Sequence, residues 1–151
     1  MREMYLEDFA AGDRFRSQGA TLTESAIVDF AMMWDPQLFH IDLPAAAEHE
    51  VGGLLASGMH TMCLTLRLFL QTGVLENCNI TGGGMDDLRW LLPVRPGDTL
   101  RVEVEVIEAR PSRTKPDRGI LVTRYHTFNQ RDDEVLTFVC TNIVRCRPEA
   151  G

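Results

Sequence analysis

The chain has 151 residues, of which 44% are hydrophobic and 25% charged, as expected for one soluble globular domain with a buried core. The formal net charge of −7 argues against a nucleic-acid partner, which needs a basic face, but leaves room for an anionic small molecule. The N-terminus lacks the apolar core of a signal peptide, and no apolar run predicts a membrane partner. Four cysteines without metal-like spacing favour a cytoplasmic chain with reduced thiols and no metal or cofactor.

The first predicted element is a helix that begins at Thr21 or Thr23. Thr21 and Glu24 have capping-box spacing. The apolar residues that follow have the spacing of one helical face: Ile27, Phe30, Ala31 and Trp34. Pro36 ends the helix, because the residue before a proline is pushed out of the helical region.

Two more helices are predicted before the chain turns to strands. Residues 44–50 favour a short helix that stops at Gly52 and Gly53. Ser57 is a suitable N-cap for a third helix over residues 58–72, ending at Gly73. Its apolar residues cover most of the cylinder, so burial nearly all round is expected, with Cys63 filling space and only Arg67 and a few polar residues exposed.

From about Met85 onward the pattern is that of strands. Apolar and polar residues alternate over 100–106 and 120–128, and a last strand covers 135–144. Turn-rich joints between them favour an antiparallel meander. The prediction is an α+β chain: a single hotdog domain over 1–151, in which a long central helix is wrapped by a curved antiparallel sheet.

The segment W-D-P-Q-L-F-H at 34–40 places Asp35 and His40 five residues apart on a bent loop. Both side-chain types can exchange protons near neutral pH when burial and neighbours tune their pKa. Such a pair can activate a water molecule if both side chains face one cavity. The alternative is structural: Asp35 caps the turn and His40 is an ordinary surface residue.

The segment G-G-L-L-A-S-G-M-H at 52–60 opens the third predicted helix. Amides in the first turn of a helix are unpaired and carry partial positive charge. Gly58 lacks a Cβ and would let a ligand carbonyl approach the backbone, where an amide can stabilise a developing oxyanion. The alternative is that Ser57 is only a cap and Gly58 only allows tight packing.

These two segments, with the P-V-R-P-G-D joint at 93–98, resemble the MaoC-like dehydratases, relatives of the R-specific enoyl-CoA hydratases. The resemblance implies a hydro-lyase for an acyl-thioester of coenzyme A or an acyl carrier protein. Asp35 and His40 would hold and activate the water, and the Gly58 amide would bind the thioester oxygen. Asp35 is favoured as the base, with His40 orienting the water and passing a proton to carbon, but the sequence leaves the order of the two residues open. A hotdog thioesterase and a non-catalytic acyl-binding subunit remain alternatives.

The chain departs from the family pattern at two positions near the pair. Gln37 stands where an asparagine is usual, and Leu66 stands where some relatives have a serine. Ser57, Arg113 and Lys115 are further substrate-binding candidates, since the basic cluster with Arg110 and Arg118 could meet coenzyme A phosphates or be a solvated turn. His49, His60 and His126, with Asp42, are interpreted as ordinary polar residues. The family and the exposed sheet edges predict a homodimer or higher even oligomer.

Overall fold

The helices precede almost all of the sheet in this computed structural model, which describes residues 2–150. A 3-10 helix at Leu6–Asp8 and two short strands, β1 (Arg14–Arg16) and β2 (Ala20–Thr21), come first. Four helices follow: α1 (Glu24–Trp34), α2 (Leu38–Ile41), α3 (Leu43–Glu48) and α4 (Gly58–Leu70). Four long strands complete the chain: β3 (Asn79–Trp90), β4 (Thr99–Pro111), β5 (Arg118–Phe128) and β6 (Glu134–Arg145).

The strands form one antiparallel sheet in the order β1-β4-β5-β6-β3, with β2 paired to β4 beside this path. The connections from β4 to β6 are short hairpins, as predicted. The meander does not include β3, because this strand pairs with β6 rather than with its chain neighbour β4. The strand also begins at Asn79, earlier than predicted, and takes up the T-G-G-G segment at 81–84.

One face of the sheet forms the core. On β4 the predicted alternation is confirmed, with four apolar side chains buried: Leu100, Val102, Val104 and Val106. On β5 the buried set includes Tyr125, whose ring stacks on Phe138 of β6. Helix α4 packs against β4, so the α+β hotdog class is confirmed. Among residues 2–150, each helix is too short or too polar to cross a membrane.

The helix starts follow the predicted caps. The Thr23 hydroxyl accepts from the Ala26 amide, which settles the choice between Thr21 and Thr23. The prediction for 44–50 is confirmed as α3, which Asp42 caps by accepting from the Ala45 amide, so Asp42 has a defined structural role. Helix α2 was not predicted, because four residues after Pro36 are too few to show a periodic pattern.

The burial expected for two helices is partly wrong. Trp34, at the last residue of α1, is 71% exposed rather than part of the core. On α4 the buried side carries Thr61 and Thr65. The Thr65 hydroxyl is hydrogen-bonded to the Thr127 hydroxyl on β5, so this buried polar group has a partner. The exposed side instead carries apolar residues, including Cys63, so the expectation that it fills space is wrong. One chain of this fold therefore leaves an apolar surface uncovered.

Candidate active site

Asp35 is the residue that ends α1. Its amide donates to the Ala31 carbonyl, and its own carbonyl accepts from Gln37, so the chain turns sharply after the helix. The short helix α2 then brings His40 back toward Asp35. The two side chains meet with 3.3 Å between Asp35 Oδ2 and His40 Nε2. The five-residue spacing thus places both groups together, as the sequence predicts.

The His40 ring is fixed by the segment that leads into α4. Its side chain is only 5% exposed, and Nδ1 lies 2.6 Å from the Leu55 carbonyl oxygen. A carbonyl can only accept, so Nδ1 carries the hydrogen and Nε2 of the neutral ring is an acceptor. The Leu55 amide in turn donates to the Phe39 carbonyl, which ties this segment to α2. His40 is therefore a buried, oriented group and not an ordinary surface residue.

Asp35 receives a hydrogen bond on each carboxylate oxygen. Gln37 Nε2 donates to Oδ1 over 2.8 Å, and the Ser57 hydroxyl donates to Oδ2 over 2.7 Å. Donors stabilise the ionised form, so Gln37 and then Ser57 hold the pKa of the Asp35 carboxyl below its ordinary value, against a smaller opposing effect of burial. The residue is thus a firmly ionised carboxylate rather than one tuned toward neutrality.

Ser57 has a second role that the sequence did not reveal. It caps α4 as predicted, by accepting from the Met59 amide over 3.2 Å, and it is completely buried. Its hydroxyl hydrogen goes to Asp35, so one side chain joins the start of α4 to the end of α1. Ser57 and Asp35 are 22 residues apart, so the sequence did not predict this contact. Leu66, at the position where some relatives have a serine, packs against the hydrophobic core.

A cavity of about 420 Å³ opens beside the pair. Asp35, His40 and Gly58 all line it, and most of the remaining wall is apolar. That wall comes from α4, the segment before it, the end of β3, the chain that follows β3, and β6. It includes Leu55, Ala56, Met59, Trp90, Leu91, Leu92, Pro93, Val94 and Val135. A site of this size and lining suits a small apolar group with one polar reacting centre.

Gly58 offers an unused donor at this cavity. Within residues 2–150, the amides of Met59 and Thr61 have acceptors in this turn, whereas none is found for the Gly58 amide. A Cβ built on Gly58 would overlap the indole of Trp90. Glycine is therefore required at position 58 because the Trp90 ring lies where a side chain would be. The ring also fills the space beside the Gly58 α-carbon that the sequence analysis assigned to a ligand.

The two basic residues predicted to bind substrate do not line the cavity of the same chain. Arg113 and Lys115 are exposed in the turn between β4 and β5. The cavity lies at the other end of the sheet, where Trp90 pairs with Leu136. Strand β5 separates the two ends by roughly 35 Å at about 3.3 Å per residue. A coenzyme A contact from these residues stays a prediction.

The other three histidines lie outside the cavity lining. His126 contacts Glu134 through Nδ1 at 2.6 Å, and His49 lies 3.9 Å from Glu50. His60 stacks on Phe30 with 4.5 Å between ring centres, and burial lowers its pKa. In the described part of the chain, no cluster of three or more histidine, cysteine or acidic side chains is arranged to hold a metal.

The chain is thus an α+β hotdog domain in which a carboxylate and an imidazole meet at an apolar cavity. A family model for the MaoC-like domain matches residues 8–125. The chain therefore belongs to the MaoC-like domain family. It is 31% identical to the uncharacterized protein YdeM of Bacillus subtilis over 87% of this chain and 92% of that protein.

Solved structures agree with this assignment. A MaoC-like dehydratase from Rhodospirillum rubrum superposes with a TM-score of 0.88 at 42% identity, covering 96% of this chain and 99% of the other. The R-hydratase PhaJ1 from Pseudomonas aeruginosa gives a TM-score of 0.74 at 23% identity, covering 97% and 88% of the two chains. At this identity, the similarity to PhaJ1 shows a shared fold.

The hydrogen bonds to Asp35 predict a measurable titration. Gln37→Met should raise the pKa of Asp35 toward the ordinary 3.8, because it removes the largest stabilisation of the charged form. Loss of activity through Asp35 protonation should therefore begin at higher pH in the variant than in the native chain. Carboxyl ¹³C shifts followed by NMR, with Asp35→Asn to assign the signal, measure this directly.

Ser57→Ala is the second arm of that titration. It should also raise the pKa of Asp35, and it should cost about 1 kcal/mol of stability as a lost helix cap. Gln37 is exposed and its side chain makes no helix-cap bond, so Gln37→Met should lower stability near neutral pH only by the amount linked to the change in the Asp35 pKa. An Asp35 pKa that is the same in all three proteins would show that these donors do not act on the carboxylate.

Proposed function

We propose that this chain is a hydro-lyase that adds water to an enoyl-thioester or removes it from a 3-hydroxyacyl-thioester. The observation that carries the proposal is the 3.3 Å contact between Asp35 and His40 at the mouth of an apolar cavity. Hydration needs a group that takes a proton from water and a group that returns one to carbon. This cavity holds two suitable groups beside space for an acyl chain.

Water would bind beside Asp35 Oδ2 and His40 Nε2 and donate to them, since both atoms are acceptors in the neutral-histidine form. As the water oxygen attacks the β-carbon of the enoyl group, one of its protons passes to His40 Nε2. The resulting imidazolium is stabilised by the adjacent Asp35 carboxylate, and the proton then goes to the α-carbon. The donors on Asp35 lower the basicity of its carboxylate, so we assign the proton of water to His40, whereas the sequence favoured Asp35 as the base and left the order open.

Negative charge develops on the thioester oxygen when hydroxide adds to the β-carbon. The unpaired amide of Gly58, in the first turn of the 13-residue helix α4, is a suitable donor for it. Such a contact strengthens as charge accumulates and therefore favours the transition state over the bound substrate. Asp35, His40 and Gly58 are the three residues to which we assign the chemistry.

The relatives support the same reaction class. The Rhodospirillum rubrum protein is described as a dehydratase, and PhaJ1 as an R-hydratase. The substrate we propose is an acyl-thioester of coenzyme A or of an acyl carrier protein. The four cysteines of the chain are free in the described structure, which fits a cytoplasmic setting with reduced thiols.

The test is a spectroscopic assay of enoyl-CoA hydration with free-thiol release measured in parallel. The proposal expects loss of the conjugated double bond without thiol release. Thiol release without hydration would identify a thioesterase, which attacks the carbonyl instead. Tight binding of the thioester with neither reaction would identify an acyl-binding subunit.

We also propose that the chain forms a homodimer. Strand β3 lies at a sheet edge with one side unpaired, which is suited to continuation by a second copy. Large exposed apolar side chains lie on α1, α2 and β3, and they include Met33, Trp34, Leu38 and Met85. A patch of this kind usually marks an association surface.

Light scattering at micromolar concentration should give a mass twice the 17.0 kDa of one chain, or a higher even multiple. Trp34→Lys should shift the equilibrium toward monomer, because a charge placed in an apolar interface is costly to desolvate. Ile107→Lys, at an exposed apolar position on β4, serves as the control. A monomeric native protein would contradict this proposal.

A further inference from the structure

Trp90 stands out among the residues of the cavity that the proposed chemistry leaves without a role. It is the last residue of β3, and its backbone is fixed by pairing with Leu136 of β6. The next residue, Leu91, donates its amide to the Val135 carbonyl. Trp90 remains 52% exposed in one chain, and it is one of the residues that line the cavity. An aromatic ring anchored in this way in a cavity wall can pack against a ligand bound there.

The indole lies flat on the first turn of α4. A Cβ built on Gly58 would overlap the bonded atoms Cε2 and Nε1 to the same extent and would approach Cδ1 to 3.0 Å. Equal proximity to two bonded ring atoms, with the third farther away, means that the ring presents its face to the Gly58 α-carbon. Only glycine allows this contact. The ring thus covers one side of Gly58, which also lines the cavity.

We propose that Trp90 is the specificity-determining wall of the acyl pocket, and that it limits the size of the acyl group that can react. The inference rests on the proposed function, because it takes the cavity beside Asp35 and His40 as the acyl site. The ring extends from the anchored end of β3 to the backbone of α4, and it lines the cavity. An acyl group bound in this cavity therefore contacts the indole, and the ring occupies space that a larger acyl group would need.

The test compares Trp90→Ala, Trp90→Phe and the control Ile107→Ala on enoyl-CoA substrates of four to ten carbons. Removing the ring should raise kcat/KM for the longest substrate relative to the shortest by about tenfold or more, since a few methylene contacts have that value. Trp90→Phe, which keeps a ring, should give an intermediate ratio. Ile107 is a comparably exposed apolar residue outside the cavity, and its variant should keep the native ratio.

The outcomes separate this proposal from the proposed function. If native protein hydrates the substrates but the length ratio of Trp90→Ala stays within about twofold of native, the wall proposal is wrong. If no substrate is hydrated, calorimetry with saturated acyl-CoA of the same lengths tests the wall through affinity alone. An unchanged length dependence of binding in folded Trp90→Ala would then overturn it, and a shift toward longer chains would support it.

Discussion

Asp35→Asn and His40→Ala are each expected to lower enoyl-thioester hydration by about a hundredfold or more, the usual loss when one general acid–base group is removed. His40→Ala removes the acceptor for the proton of water. Asp35→Asn leaves the imidazolium without its adjacent carboxylate, which lies 3.3 Å from the ring. Steady-state rates on a short enoyl-CoA measure both effects, and the fall should appear in kcat.

The two variants need a check that the fold is intact. Circular dichroism and thermal unfolding should be close to native for Asp35→Asn, because the amide has nearly the same shape as the carboxylate and its oxygen can still accept one of the two hydrogen bonds from Gln37 and Ser57. His40→Gln is the matched control for packing, since it fills part of the space without an imidazole. Near-native turnover in folded Asp35→Asn and folded His40→Ala would remove the catalytic assignment.

Gly58→Ala is expected to lower both stability and hydration, and Gly58→Val should lower both further. The new Cβ would overlap the Trp90 indole, so either the ring or the first turn of α4 must move. Ser57 caps this turn, and its hydroxyl donates to Asp35, so the position of the turn determines the position of the carboxylate. A displaced turn therefore lowers kcat even though alanine keeps the backbone amide.

A double-mutant cycle separates the two explanations of this glycine. If the indole is the reason, Trp90→Ala should restore most of the stability and the short-substrate kcat that Gly58→Ala removes. If the glycine exists only to admit a thioester, the two changes should act additively and no rescue should be seen. Thermal unfolding and rates for the four proteins provide the comparison.

Much of the fold could be predicted from periodicity and caps. The alternating apolar residues of β4 are buried because the strand has one face on the core, and α1 begins where Thr23 caps it. The pairing of β3 with β6 could not be predicted, because nothing local specifies which strand a distant one joins. The sequence did not predict that Trp34 is exposed for a related reason. Helical spacing shows which residues share the apolar face of a helix, but it does not show which of them another element covers.

In the site, too, contacts between residues close in the chain could be predicted, and contacts between distant residues could not. Asp35 and His40 are close in the chain, so their meeting could be predicted from spacing and a bend. The hydrogen bond from Ser57 to Asp35 joins residues 22 apart, and the ring of Trp90 reaches Gly58 from another element altogether. These contacts set the charge of the carboxylate and the shape of the pocket, and only the folded chain reveals them.

The most direct test of the central claim is a crystal structure with a bound saturated or unreactive acyl-thioester. The carbonyl oxygen should lie within hydrogen-bond distance, about 3 Å, of the Gly58 nitrogen. The β-carbon should face a water bound to Asp35 and His40, and the acyl chain should contact Trp90. A thioester whose carbonyl lies far from Gly58, or whose β-carbon is turned away from Asp35 and His40, would contradict the account.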